Sequence, residues 1–234
     1  MSRAPDRHEG HEGPERPAAA RVRTQVVVPL AFSDGFETSA RAFTFDGLVD
    51  GLEHVALGLG DRAGPLGQDA RSTAPTLTRL HSECLTGDVF GSQRCDCGPQ
   101  LREAVERLDA AGGFLLYLRQ EGRGIGLYAK LDAYVLQDRG LDTYEANQAL
   151  GYAADERDYT VAAQMLGALG VERVSLLSNN PDKADQLDRL GITVARRVPT
   201  GVHLSDANAQ YLATKVVRGA HALDLTVDDR RGTA

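Results

Sequence analysis

The chain predicts a mixed α+β / α/β fold, with an N-terminal, mostly antiparallel β region followed by βαβ units whose helices pack on a sheet. Two observations carry this. From Thr24 to about Glu83, short runs rich in branched and aromatic residues are separated by Gly, Asp and Pro, the pattern of strands joined by turns. From Gly98 onward, apolar runs of strand length alternate with segments whose apolar residues recur every three to four positions, which is the signature of βαβ units.

The elements follow in order. Residues 1–22 carry Pro5, Pro14, Pro17 and scattered charges with almost no large apolar side chains, so they are read as a disordered tail that cannot repay the entropy of ordering. Val26 to Val28, Ala40 to Phe45, His54 to Leu59 and Thr76 to Leu80 are the candidate strands of the first region. Gly98 to Ala111 reads as a helix through Leu101, Val105 and Leu108, stopped by Gly112 and Gly113. Phe114 to Leu118 is a continuous apolar strand, Ile125 to Asp138 a helix, and Thr160 to Leu169 another, ended by Gly170. Val174 to Leu177 reads as a buried strand, Pro181 to Leu190 as a helix with Asn180 as its N-cap, and Ile192 to Val198 as a strand. A last helix is expected over Ala209 to Leu223, then a flexible tail over 226–234. Residues 23–225 are read as one domain. The charged segments from Asp142 to Asn147 and Ala154 to Asp158 read as solvated turns, with Asp158 capping the helix that follows.

Composition narrows the function classes. A hydrophobic content of 42% with 25% charged residues is that of a soluble globular protein. No apolar run approaches the roughly 20 residues of a membrane span, and the first residues lack the apolar core of a signal peptide; the expectation is a cytoplasmic protein. The net charge of −7 supplies no overall positive field for a nucleic-acid strand, so local cations are expected to meet a small phosphorylated ligand.

The three cysteines of the chain, Cys84, Cys95 and Cys97, all fall within residues 84–97. An odd, clustered set suits a metal held by thiolates better than disulfides. Three ligands leave tetrahedral zinc one open position for water, the arrangement of a catalytic site. His81, three residues before Cys84, offers the alternative of a closed Cys3His structural site, and spacing does not choose between them. Two loops stand where a strand hands over to a helix, the usual place for an anion: Arg119 to Gly126, with Arg119 and Arg123 as forked donors, and Ser178 to Lys183.

Taken together, the runs Arg79 to Asp88, Arg94 to Gly98, Arg119 to Arg123, Ala133 to Asp138, Asp142-Thr143, Glu145 to Asn147, Ala154 to Asp158 and Asn179 to Pro181 resemble the GTP cyclohydrolase II family. The resemblance implies conversion of GTP to 2,5-diamino-6-ribosylamino-4(3H)-pyrimidinone 5′-phosphate, formate and pyrophosphate, the opening step of riboflavin biosynthesis. It implies zinc on Cys84, Cys95 and Cys97, one ion per subunit, with its water directed at C8 of guanine, and magnesium on the triphosphate. GTP contacts are implied for Arg79, Leu80, His81, Ser82, Glu83, Gln100, Glu121, Gly122, Arg123, Thr143, Ser178 and Lys183. Asp155 would be a proton acceptor, Arg157 a nucleophile at the α-phosphorus or a phosphate clamp, and Tyr134 an aid to the ring chemistry. A homodimer is also implied. Ser178 stands where the family commonly has threonine, and Leu118 and Gly124 replace a frequent His and Asn. The alternatives are a variant that retains the formyl group and a catalytically silent zinc or nucleotide-binding homologue.

Overall fold

A computed structural model describes residues 17–67, 74–205 and Asn208. The helix expected over 209–223, the tail over 226–234 and most of the N-terminal tail lie outside the described residues. Among the described residues, seven strands form one sheet in the order β1-β2-β3-β5-β4-β6-β7. They are β1 (Arg21–Ala31), β2 (Glu37–Asp46), β3 (Val55–Leu59), β4 (Thr76–Ser82), β5 (Gly113–Leu118), β6 (Arg173–Leu177) and β7 (Thr193–Val198). The helices are α1 (Leu85–Asp88), α2 (Cys97–Ala111), α3 (Leu127–Gln137), α4 (Thr143–Ala149), α5 (Thr160–Ala168) and α6 (Pro181–Arg189).

The sheet has two halves. Pairs β1·β2, β2·β3 and β3·β5 are antiparallel, whereas β5·β4, β4·β6 and β6·β7 are parallel. Strand β4, expected within the antiparallel region, therefore has only parallel neighbours. Its residues 78–81 give the reason: Leu80 and Arg79 are both buried, as are Thr78 and His81, and such a strand needs cover on both faces. The chain lays down β3 and β4 on either side of an empty position and returns through α2 to fill it with β5.

Alternation along β5 divides the core. Phe114, Leu116 and Leu118 join Phe43, Leu80, Tyr159 and the apolar faces of α5 and α6, whereas Leu115 joins Leu59, Leu177 and α2 on the opposite side. Each fully buried Leu or Phe contributes roughly 1.5–3 kcal/mol. Phe43 and Phe114 meet edge to face at 6.0 Å and 69°, which ties β2 to β5 across β3.

Three sequence expectations change here. Arg21 and Val22, read as the end of a tail, pair with Asp46 and Phe45. The segment from Asp142 to Asn147 is not a turn but the start of α4: Asp142 accepts from the N–H groups of Tyr144 and Glu145, and the Glu145 side chain accepts from Asp142 N–H. The charges that suggested solvent are a capping box. The helix expected from Ile125 begins at Leu127, because Glu121–Gly124 forms a 3-10 turn first. Asp158 does accept from Thr160 N–H at 2.6 Å, at the start of α5.

Beyond β7 the chain is strapped to α2. Glu103 accepts from Gly201 N–H, Arg107 and His203. Partial burial pushes its carboxyl up, but these donors, His203 foremost, outweigh that and hold it at about 2.

Candidate active site and metal centre

Every parallel strand delivers its C-terminal end to one cavity. Ser82, Glu83 and Cys84 follow from β4, Glu121 to Arg123 from β5, Ser178 to Lys183 from β6, and Thr200 from β7. This edge is where parallel sheets hold ligands, because the loops converge there.

On one wall the thiols of Cys84, Cys95 and Cys97 lie within 4.8 Å of one another, the one group of three or more metal-ligating side chains this close among the described residues. Cys84 precedes α1 and Cys97 opens α2. The Cys84 and Cys95 sulfurs are 3.6 Å apart, against about 3.8 Å for two thiolates on a tetrahedral zinc with Zn–S near 2.3 Å. Gly87 closes the cradle from behind: a Cβ there would stand 2.7 Å from the Cys95 sulfur and 3.1 Å from that of Cys84, so no larger residue fits. The donor set and its spacing fit zinc.

The charge around the thiols agrees. Hydrogen bonds from Cys95 and Cys97, with the Lys130 ammonium beside it, draw Cys84 far down toward thiolate. Cys95 is pushed up to about 11, first by its hydrogen bond to Cys84. Three adjacent sulfurs cannot all ionise without a cation, which a bound metal supplies. Lys130 Nζ lies 3.1 Å from the Cys84 sulfur, 3.0 Å from Thr86 Oγ1 and 2.7 Å from Glu121 Oε1. Burial opposes its charge, but the Glu121 hydrogen bond and the Cys84 field prevail and raise its pKa.

His81 stands outside the thiol group. The ligand atoms within 4.8 Å of one another include no His81 nitrogen, so the closed Cys3His arrangement is not the observed one; His81 Nε2 is instead 3.1 Å from both carboxylate oxygens of Asp88. Asp88 also accepts from Tyr117 OH at 2.8 Å and from Cys84 N–H at 3.0 Å.

The opposite wall is cationic. Buried Arg79 reaches the Leu177 carbonyl at 3.1 Å and Gln100 at 2.9 Å. Lys183 Nζ, buried, donates to the Leu80 carbonyl at 2.7 Å and lies over the Tyr159 ring. Asn180 caps α6 through Asp182 N–H, and Ser178 Oγ accepts from Asn180 N–H at 3.1 Å. Arg123 holds φ 64°, a left-handed conformation rare outside glycine, between Gly122 at φ 63° and Gly124 at φ 96°; its guanidinium stacks over Tyr144.

The residues expected from the sequence largely meet here. Arg79, His81, Ser82, Glu83, Gln100, Glu121, Gly122, Arg123, Tyr134, Thr143, Arg157, Ser178 and Lys183 all line the cavity with the three cysteines. Two do not. The Leu80 side chain is fully buried in the core, since alternation along β4 turns it away from Arg79 and His81; it reaches the site only as the carbonyl that holds Lys183. Asp155 sits behind the wall, paired through both carboxylate oxygens with Arg157 and 3.9 Å from Arg123. Burial pushes that carboxyl up, but the Arg157 hydrogen bonds and both arginine charges hold it below the usual carboxylate range. Glu121, expected among the GTP contacts, already accepts from Leu85 N–H and Gly122 N–H besides Lys130.

Lys130, Asp88, Arg94 and Asn147 had no role assigned from the sequence. Lys130 precedes Tyr134 by four residues, so helical periodicity alone places both on one face. Asp88 and Arg94 lie inside the matching runs, Asp88 four residues after Cys84 and Arg94 next to Cys95.

The family profile described as GTP cyclohydrolase II matches residues 24–199. The chain is 48% identical over 206 residues to GTP cyclohydrolase-2 of Vibrio cholerae, covering 88% of this chain and 100% of that one. It is 50% identical over 204 residues to GTP cyclohydrolase-2 of Aliivibrio salmonicida, 87% and 98% of the two chains. It is also 50% identical over 184 residues to the riboflavin biosynthesis protein RibBA of Bacillus subtilis, where the match spans 78% of this chain and 44% of that one. Thiols in a metal cradle, arginines and a buried lysine converge on one strand edge within a match of this extent, and the chain belongs to the GTP cyclohydrolase II family of hydrolases.

Proposed function

We propose that this protein hydrolyses GTP at C8 of guanine, opens the imidazole ring, and releases formate and pyrophosphate to leave 2,5-diamino-6-ribosylamino-4(3H)-pyrimidinone 5′-phosphate for riboflavin synthesis. The observation that carries this reading is the cradle of Cys84, Cys95 and Cys97 on the wall of a cavity whose other wall is cationic. Zinc held by those three thiolates would supply Lewis acidity, lowering the pKa of a coordinated water toward neutrality.

The chain's own residues do the rest. Arg79, Arg123, Arg157 and Lys183 would neutralise the triphosphate, with magnesium, if bound with it, supplying further positive charge. Arg157 acts as a clamp on the α-phosphate, because a guanidinium that stays charged is a poor nucleophile and Asp155 pins it in that state. Asp155, kept ionised, orients Arg157 and is available as a proton acceptor. Tyr134, whose hydroxyl is 3.4 Å from Thr86 Oγ1, faces the thiol wall. Burial raises its pKa, so it remains a donor at neutral pH.

The substrate is a small molecule; neither a nucleic-acid strand nor a membrane enters the reading, and the reaction is assigned to the cytoplasm. No described helix is long and apolar enough to cross a membrane. A second copy of the chain is the proposed partner, supported by Tyr128, Leu131 and Val135 on one face of α3, exposed at 82%, 42% and 51%.

An anaerobic incubation of zinc-loaded protein with GTP and magnesium tests the reaction, with formate and pyrophosphate counted separately. Equimolar amounts are expected. Pyrophosphate with a retained formyl group would instead identify ring opening without deformylation, and neither product would remove the proposal.

A further inference from the structure

The His81 ring has a fixed polarity. Its Nε2 faces two carboxylate oxygens of Asp88 at 3.1 Å each, and a carboxylate only accepts, so Nε2 must carry the proton. The ring is 3% exposed and so is the Asp88 side chain. Burial lowers the pKa of His81 despite Asp88, with Arg79 and Lys183 adding to the shift. The neutral imidazole therefore presents a bare Nδ1, and that atom is buried with no hydrogen-bond partner among the described residues. Rotation is blocked: the ring stacks on Tyr117 at 5.6 Å and 20°, while Tyr117 OH and Cys84 N–H hold Asp88 in place.

An unpaired acceptor is costly when buried, and this one belongs to a residue that lines the cavity. The neighbouring cations Arg79 and Lys183 have only donors to offer. Of the carboxylates lining the cavity, Glu121 accepts from Leu85, Gly122 and Lys130, and Glu83 from Arg119. A lone pair repels phosphate oxygens and attracts N–H or O–H groups, so this corner suits the nucleoside part of a nucleotide.

We propose that Asp88 is a positioning residue that locks His81 as the Nε2–H tautomer, so that Nδ1 accepts a hydrogen bond from an N–H or O–H of the substrate's nucleoside. The role of that hydrogen bond rests on the GTP reading above; the tautomer does not. Exchanging Asp88 for Asn tests it nearly isosterically. The amide oxygen can keep the Cys84 and Tyr117 hydrogen bonds, while the amide nitrogen donates to His81 Nε2 and forces the proton onto Nδ1. An equivalent exchange in a serine-protease triad lowers kcat about 10⁴-fold through the wrong tautomer.

The zinc-loaded full chain, labelled with ¹⁵N-histidine, reports the tautomer directly from its two-bond ¹H–¹⁵N correlations. The wild type is expected as Nε2–H and Asp88→Asn as Nδ1–H, with equal zinc content and kcat/KM for GTP lowered about 100-fold. His81→Asn, which keeps an acceptor at the Nδ1 position, is expected to retain at least tenfold more kcat/KM than His81→Leu. A wild-type Nδ1–H tautomer overturns the proposal, as does an inverted tautomer with unchanged kcat/KM. Loss of zinc from Asp88→Asn without inversion also overturns it, leaving Asp88 as an anchor for the Cys84 loop. A wild type that turns over no GTP would defeat the functional reading while the tautomer assignment stood.

Discussion

The two halves of the sheet are built from similar strands yet do different work. In the antiparallel half, successive strands end at opposite edges, and β1 is so lightly covered that Val26 and Val27, which point to opposite faces, are 53% and 51% exposed. In the parallel half, all four strands point the same way, β4, β5 and β6 largely buried and β7 an exposed edge strand, and each contributes its following loop to a single edge. Strand direction, more than strand composition, decides where chemistry can be assembled. Three thiols from β4 and its sequel, an arginine loop from β5 and a buried lysine after β6 come together because their strands run parallel.

Substitutions can break or sharpen this contrast. The largest effect is expected in the parallel half from Cys95→Ser. Changing groups that merely support a metal ligand costs 10–100-fold in affinity or activity, so loss of a ligand should cost more than about 100-fold in kcat, with zinc content falling in parallel by elemental analysis and the melting curve changing less than the activity. In the antiparallel half, Phe43→Ala should do the reverse. Removing a ring that is 1% exposed and packed on Phe114 costs about 3–5 kcal/mol, seen in urea unfolding, while kcat per folded molecule and zinc content hold. A kcat loss as large as that of Cys95→Ser would show that the two halves are not separable.

The smallest effect concerns the strap after β7. Glu103 has a folded pKa of about 2 against an ordinary 4.5. A depressed carboxylate pKa stabilises the fold fully above the unfolded value, and that contribution is lost as pH falls through the folded one. Wild type should therefore exceed Glu103→Gln in thermal stability at pH 7, and the gap should close between about pH 4.5 and 2. A gap independent of pH would mean that the strap is held by packing alone.

Much of this architecture is legible in the sequence. Periodicity placed the long helices α2, α5 and α6, and the apolar runs placed β5 and β6, because burial on both faces leaves continuous hydrophobic sequence. The cysteine spacing announced a metal cradle. What sequence could not supply was pairing. Nothing in residues 76–80 distinguishes a strand with parallel neighbours from one with antiparallel neighbours, since that depends on β5 returning between β3 and β4. Nor could it separate a capping box from a solvated turn at Asp142, where the same charges serve both. Lys130 was hidden because its partners Cys84 and Glu121 are distant in sequence, and the burial of Leu80 required knowing which face of β4 meets the cavity.

The interleaved strand order also bears on how the chain is made. Strands β3 and β4 are consecutive, yet their facing edges are filled by β5, whose last residue is Leu118. During synthesis, both edges stay unpaired until the ribosome has released α2 and β5 together. That interval exposes two apolar strands to neighbouring nascent chains, and a chaperone has the most to shield there.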